Sequence, residues 1–151
     1  MNEITYEQLT QATAEDAAGM AALVPQMTKN VVEPLNQQRL AEILATGTQV
    51  WVARDGEKLA GVGALGVLEV LVGGKYWIED LVVDEAYRGQ GIANEIMNRM
   101  LAAVPDDAYS VNLSSRGERP EAQAWYQRLG FAHESNVYRR RPLQAKQAQP
   151  E

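Results

Sequence analysis

Residues 78–94 read Ile78-Glu79-Asp80-Leu81-Val82-Val83-Asp84-Glu85-Ala86-Tyr87-Arg88-Gly89-Gln90-Gly91-Ile92-Ala93-Asn94. An apolar strand pattern carrying two adjacent carboxyls, Glu79 and Asp80, runs to Val83. A short polar loop follows, and a turn with two glycines opens an amphipathic run. In that run Ile92, Ile96, Met97, Met100, Leu101 and Val104 fall on one helical face. Glycine lets backbone approach a ligand closely. The first N–H groups of a helix lack internal partners, and the helix dipole favours anions. The turn therefore has the chemistry of a phosphate or pyrophosphate cradle. Two other phosphate signatures fail on residues. Gly91 is followed by Ile92-Ala93 rather than Lys-Ser/Thr, so this is no P-loop. Asn94 stands where a dinucleotide fingerprint needs its third glycine.

Upstream, residues 4–9 read as a strand. Thr13 is placed to cap a helix running to about Met27. Pro34 suits a first helical position, and Leu35, Leu40, Ile43 and Leu44 continue with helical spacing to Gly47. Strands follow over 48–53, 59–71 and 75–83, with hairpin turns at 54–57 and at Gly73-Gly74. Downstream of the 89–104 helix, residues 109–114 read as a strand. Residues 120–129 read as a helix with Ala122, Trp125, Tyr126 and Leu129 on one face. Gly130 fits a left-handed cap with Phe131 folding back. Residues 136–141 read as a last strand. The order β-α-α-β-β-β-α-β-α-β implies an α/β fold of α+β character, a mixed sheet with helices on both faces.

Length and composition agree with one domain. A chain of 151 residues, 46% hydrophobic and 23% charged, can bury about 68–70% of its unfolded surface. The absence of cysteine excludes disulfides, thiolate metal sites and a cysteine nucleophile. The one histidine, His133, precludes a His-rich metal site, and it sits in a polar loop; no metal is expected. The net charge of −6 argues against a nucleic-acid partner. Residues 1–80 hold 11 acids and 5 bases, whereas residues 81–151 hold 9 of each, eight of those bases arginine. The C-terminal half is thus the better host for an anion. No signal peptide or apolar span of ~18 residues is visible, so no membrane is expected and the location expected is cytoplasmic. Residues 142–151 read as a flexible tail, and 1–141 as the domain.

The chain resembles the GNAT superfamily of acyl-CoA-dependent N-acyltransferases. Its signature, Arg/Gln-x-x-Gly-x-Gly/Ala after an acid-bearing strand, is matched by Arg88-Gly89-Gln90-Gly91-Ile92-Ala93 behind Glu79-Asp80-Leu81-Val82-Val83. A second segment, Ala-x-x-Phe/Trp-Tyr then Gly-Phe, is matched by Ala122-Gln123-Ala124-Trp125-Tyr126 and Gly130-Phe131. The strand order matches over residues 4–141. One position departs: the family often has asparagine where Arg119 stands, so that contact is not carried over.

The resemblance implies binding of acetyl-CoA where residues 79–83 splay from residues 109–114. Backbone groups of Leu81, Val82 and Val83 would hold the pantetheine arm, as an added strand would. N–H groups of Arg88, Gly89, Gln90, Gly91, Ile92 and Ala93 would hold the pyrophosphate. An amine with a pKa near 10 must lose a proton before attack; Glu79, Asp80 or a water is the base, the resemblance favouring Glu79. Strict alternation puts Glu79 on a face with Trp77, Leu81 and Val83; a bulge would change this. The family places the tyrosine matched by Tyr126 near the thioester sulfur, as proton donor. Glu33, in the 27–36 segment flanking the acceptor, and Asp80 are candidates for facing a cationic amine. The acceptor is a small-molecule amine or a peptide amine. A non-catalytic acyl-CoA sensor is the competing class. Family members are often dimers, so a homodimer is also expected.

Overall fold

The computed structural model describes residues 3–115 and 120–141. Strand β1 (Ile4–Gln8) is followed by helix α1 (Ala14–Leu23), a 3-10 turn at Val24–Gln26, and helix α2 (Gln37–Ala45). Three antiparallel strands come next: β2 (Gln49–Asp55), β3 (Lys58–Val70) and β4 (Gly73–Val83). A 3-10 turn at Glu85–Tyr87 leads to α3 (Ile92–Ala103), then β5 (Ser110–Asn112) and α4 (Pro120–Arg128). The sheet order is β1-β2-β3-β4-β5, with only the β4–β5 pair parallel. The expected mixed sheet is therefore present, with helices on both faces.

Each face has its own core. Ala17, Met20 and Leu23 of α1 and Leu40 of α2 pack with Val50, Val52, Leu59, Val62 and Val82. On the other face Ile92, Ile96, Met97 and Met100 of α3 pack with Ala53, Ala60, Leu65, Ile78 and Val83. A side chain at Gly63 would meet Ile96 Cγ2 and Met100 Cε, each at 2.9 Å. Glycine in β3 thus lets α3 lie close to the strand.

Four of the differences from the sequence reading have a clear physical reason. Helix α2 starts at Gln37, not Pro34, because Asn36 is its cap: Asn36 Oδ1 accepts the Arg39 N–H at 2.8 Å. The β3–β4 turn is Leu71-Val72, not Gly73-Gly74. Gly73 is spent inside β4, at φ 135°, where a side chain would meet Tyr109 Cβ at 3.1 Å. Helix α1 stops at Leu23, and Pro25 sits in the tighter turn that follows. No strand forms over 136–141; Val137 and Tyr138 are 56% and 90% exposed. Alternation explains this, since each face of that segment offers one apolar residue and two polar ones. Arg119 and the 142–151 tail lie outside the described residues.

A buried ion pair ties α1 to the sheet. Arg54 donates to both Asp16 oxygens, at 2.7 and 3.0 Å, and to Glu7 at 2.8 Å. The hydrogen bond from Arg54 holds the Asp16 carboxyl below its ordinary value. A lowered carboxyl stabilises the fold at neutral pH, and that contribution is lost as pH falls. Asp16→Asn should therefore lower unfolding free energy by ~1.5–3 kcal/mol at neutral pH. The difference should shrink below the ordinary carboxylate range. Urea unfolding at neutral and acid pH checks both.

Candidate active site

Strand β4 pairs with β5 over only three residues, the last pair being Trp77 with Asn112. Beyond it β4 continues to Val83 while β5 has ended. One edge of β4 from Ile78 onward thus has no β5 neighbour, and a slot opens between the strands. Asn112 pins its closed end, its Nδ2 donating to the Tyr76 carbonyl at 3.1 Å.

A β-bulge interrupts β4 within this slot. Val62 pairs with Val82 and Ala64 with Glu79, so β4 holds one extra residue. Asp80 absorbs it at φ 54°, a left-handed conformation rare for a non-glycine residue. The bulge corrects the face assignment. Gly63 faces α3, so Ala64 and its partner Glu79 face the α1–α2 side. Leu81 and Val83 belong to the α3 side and Val82 to the other. Glu79 therefore does not share a face with Leu81 and Val83. It stands on the side of the sheet that carries α1, α2 and their linker. Both carboxyls reach solvent but are flanked by protein. Burial raises the Glu79 pKa, the neighbouring Asp80 charge raises it further, and Arg139 opposes. Burial alone raises Asp80.

The open slot leads to a cleft of about 260 Å³ lined by Val83, Tyr87, Arg88, Gly89, Gly91, Ile92, Ala93, Asn94 and Trp125. Gly89 and Gly91 sit at φ 81° and 79°, and nothing lies within 4 Å of a side chain built on either. Their requirement is conformational, and the space before them is open. Gly91 is the N-cap of α3, and the first intrahelical bond runs from Glu95 N–H to Gly91 O at 3.1 Å. The N–H groups of Ile92, Ala93 and Asn94 precede that ladder. Open N–H groups at a helix start before a cleft have the chemistry of an anion cradle, and these residues fit the diphosphate of a CoA thioester. Arg88 folds back: its Nε donates to the Val83 carbonyl at 3.1 Å.

The sequence profile described as "Acetyltransferase (GNAT) domain" matches residues 46–133. The chain belongs to the GNAT acetyltransferases. Human N-acetyltransferase 8B is 39% identical over 88 residues, which is 56% of this chain and 39% of that protein. The chain thus spans about two-fifths of that relative's length. Two solved structures share the fold. A soil-metagenome aminoglycoside acetyltransferase, solved with sisomicin, superposes with a TM-score of 0.75 at 22% identity, over 93% of this chain and 96% of that one. A predicted acetyltransferase from Clostridium acetobutylicum, solved with acetyl-CoA, superposes with a TM-score of 0.72 at 14% identity, over 94% and 98%.

Within this GNAT domain Tyr126 lies on the α3 side, partly buried, and Phe131 meets its ring edge-on at 6.4 Å. Among the described residues no hydrogen bond engages its hydroxyl. Glu33 is exposed and pairs with Arg39 at 3.4 Å. His133 is exposed. Among the described residues no group of three metal-ligating side chains forms, and no helix is long and apolar enough to cross a membrane.

Several cleft residues escaped the sequence reading. Tyr87 lines the cleft and donates to Asp55 Oδ2 at 2.7 Å, a bond that raises its phenol pKa. Gln26 Oε1 accepts the Glu85 N–H at 2.9 Å and faces Arg88 Nη2 at 3.5 Å, linking the α1–α2 connection to the cradle. Asn94 and Trp125 line the cleft and bond each other at 3.1 Å. Asn94 had a readable signal, its place in the first turn of α3. Gln26 had none, since its partners lie 59 and 62 residues away.

Proposed function

We propose that this domain, residues 1–141, is a cytoplasmic N-acetyltransferase that moves the acetyl group of acetyl-CoA to a primary amine of a small molecule by direct attack. The observation that carries this is the parting of β4 from β5 beyond Trp77 and Asn112, with an anion cradle at the far end of the slot. A thioester supplies the activated acyl group. The β4 edge at Leu81, Val82 and Val83, uncovered by β5 and with the Val83 carbonyl accepting from Arg88, offers its arm a strand-like partner, and residues 88–93 receive its diphosphate.

The two sides of the sheet divide the proton work. Glu79, on the α1–α2 side, takes a proton from the incoming ammonium, directly or through water. Its raised pKa makes it a stronger base than an ordinary carboxylate. Asp80 is the second candidate for that role. Tyr126, on the α3 side, gives its phenolic proton to the departing sulfur. The carbon–nitrogen bond forms as the carbon–sulfur bond breaks, and the products are an amide and a free thiol. The nitrogen's second proton passes to the Tyr126 phenolate and Glu79 releases its proton to bulk solvent, so one proton is released per turnover. A sugar-borne or alkyl amine is favoured by likeness to the aminoglycoside acetyltransferase. The Glu33 carboxylate already has Arg39 as a partner, so it contributes at most a diffuse charge to the acceptor side.

Release of free thiol from acetyl-CoA, measured over a panel of aminoglycosides, amino sugars, amino acids and peptides, tests the reading. Turnover on small amines is expected. Turnover on peptides alone would move the acceptor class, and cofactor binding without turnover on any amine would leave a sensor. Tyr126→Phe keeps the ring and removes one oxygen. Acetyl-CoA should still bind, and kcat should fall roughly tenfold or more, at least ~1.4 kcal/mol of transition-state stabilisation. An unchanged kcat, on an acceptor for which chemistry limits the rate, removes Tyr126 from the mechanism.

A further inference from the structure

Helix α4 carries the Tyr126 hydroxyl, yet none of its nine residues is fully buried. Its apolar face of Ala122, Trp125, Tyr126 and Leu129 is only partly covered. Proton transfer is sensitive to displacements of a fraction of an ångström to an ångström, so a shallowly seated helix needs another constraint. One is present. Trp125 Nε1–H donates to Asn94 Oδ1 at 3.1 Å, across from α4 to the first turn of α3. Asn94 belongs to the same turn whose leading N–H groups form the cradle, and both side chains line the cleft. On α4, the Trp125 and Tyr126 rings are 5.5 Å apart at 34°. Phe131 closes the other side of Tyr126, and its N–H bonds the Tyr126 carbonyl at 3.0 Å. The indole is thus fixed at one end to the cradle and at the other to the tyrosine.

We propose that Asn94 and Trp125 are a positioning pair that sets α4, and with it the Tyr126 hydroxyl, in register with the α3 cradle. The inference rests on the reading of Tyr126 as proton donor. A packing role alone would need only an aromatic ring at 125. The hydrogen bond gives a reason for an indole and for an asparagine facing it.

The test is a mutant cycle read by steady-state acetyl transfer, with sisomicin or the best amine of the panel as acceptor. Trp125→Phe keeps a ring and removes the donor; kcat should fall about three- to tenfold with little change in KM for acetyl-CoA. Asn94→Ala should do the same and serves if Trp125→Phe folds poorly. Asn94→Asp keeps the acceptor oxygen but sets a negative charge beside the phosphates, so kcat should recover while KM for acetyl-CoA rises. On a Tyr126→Phe background neither Trp125→Phe nor Asn94→Ala should cost anything further, because both act through that hydroxyl. Full additivity with Tyr126→Phe would overturn the proposal by making the indole act on its own. A lower melting temperature with kcat unchanged would also overturn it, leaving a structural tie. If Tyr126→Phe alone is inert, the proton-donor reading itself has failed, and the single variant shows this before the cycle is closed.

Discussion

Glu79→Gln should lower turnover by roughly 10²–10⁴ at neutral pH, the usual contribution of a positioned base. The substitution keeps size and hydrogen bonding but cannot accept the proton. Burial and the Asp80 charge hold the Glu79 pKa above its ordinary 4.5. The wild-type rate should therefore climb with pH through that raised value, and the climb should vanish in Glu79→Gln. The deficit should narrow toward pH ~10, where the acceptor amine is already free base. Stability should move the other way. A carboxyl raised by its folded surroundings holds its proton more tightly in the fold, so it destabilises the fold once pH exceeds its pKa. Glu79→Gln should thus unfold no more readily than wild type at neutral pH. A melting scan beside the rate profile separates lost chemistry from lost fold. Asp80→Asn is the control. If it shows the lost limb and Glu79→Gln does not, the base is Asp80.

The fold was legible where a local rule had one solution. Thr13 was readable as a cap because its hydroxyl faces the N–H of Asp16, and the two meet at 3.0 Å. Gly130 was readable because only a left-handed residue lets Phe131 return over Tyr126. Where two local rules competed, the reading failed. Pro34 fits a first helical position, but Asn36 caps two residues later and a side-chain acceptor outweighs a preset φ. Gly73 fits a turn, but it is required where β4 passes Tyr109, a contact 36 residues away in sequence. The 136–141 segment has no face to bury, so it forms no strand.

The site divides in the same way. The shape of the 88–93 turn was legible because it is carried by backbone, and glycine spacing fixes backbone. The side of the sheet that Glu79 occupies was not legible. It turns on one extra residue in β4, and Asp80 gives no sign in the sequence that it will accept φ 54°. Alternation therefore misassigned the face of Glu79, the side chain proposed as the base. On the proposed mechanism, the bulge lets a base and an acid serve one reacting carbon from opposite faces of a sheet. It re-aims Leu81 and Val83 toward α3 while leaving Glu79 toward α1 and α2, just where β4 loses β5 as a neighbour.

Gly91→Glu should abolish CoA binding while leaving the chain folded. CoA should raise the melting temperature of the wild type, as any ligand of the native state does, by an amount that grows with its concentration. In the variant that shift should disappear. Two effects act together at this position. The left-handed φ of 79° penalises any residue with a side chain, by an amount of order 1 kcal/mol or more. That penalty falls on the fold. The carboxylate falls on the ligand, since it places negative charge before the same N–H groups that receive the diphosphate. Nothing the structure places near Gly91 lies within 4 Å of the new Cβ, so the side chain starts into open space beside the cradle. Gly91→Ala separates the two effects. It carries the backbone penalty without the charge, so it should melt lower than wild type yet keep a CoA-dependent shift. Dephosphorylated pantetheine, which lacks the diphosphate, should give the wild type and Gly91→Glu similar small shifts. An undiminished CoA shift in folded Gly91→Glu would place the diphosphate elsewhere and remove the cradle from the reading of this site.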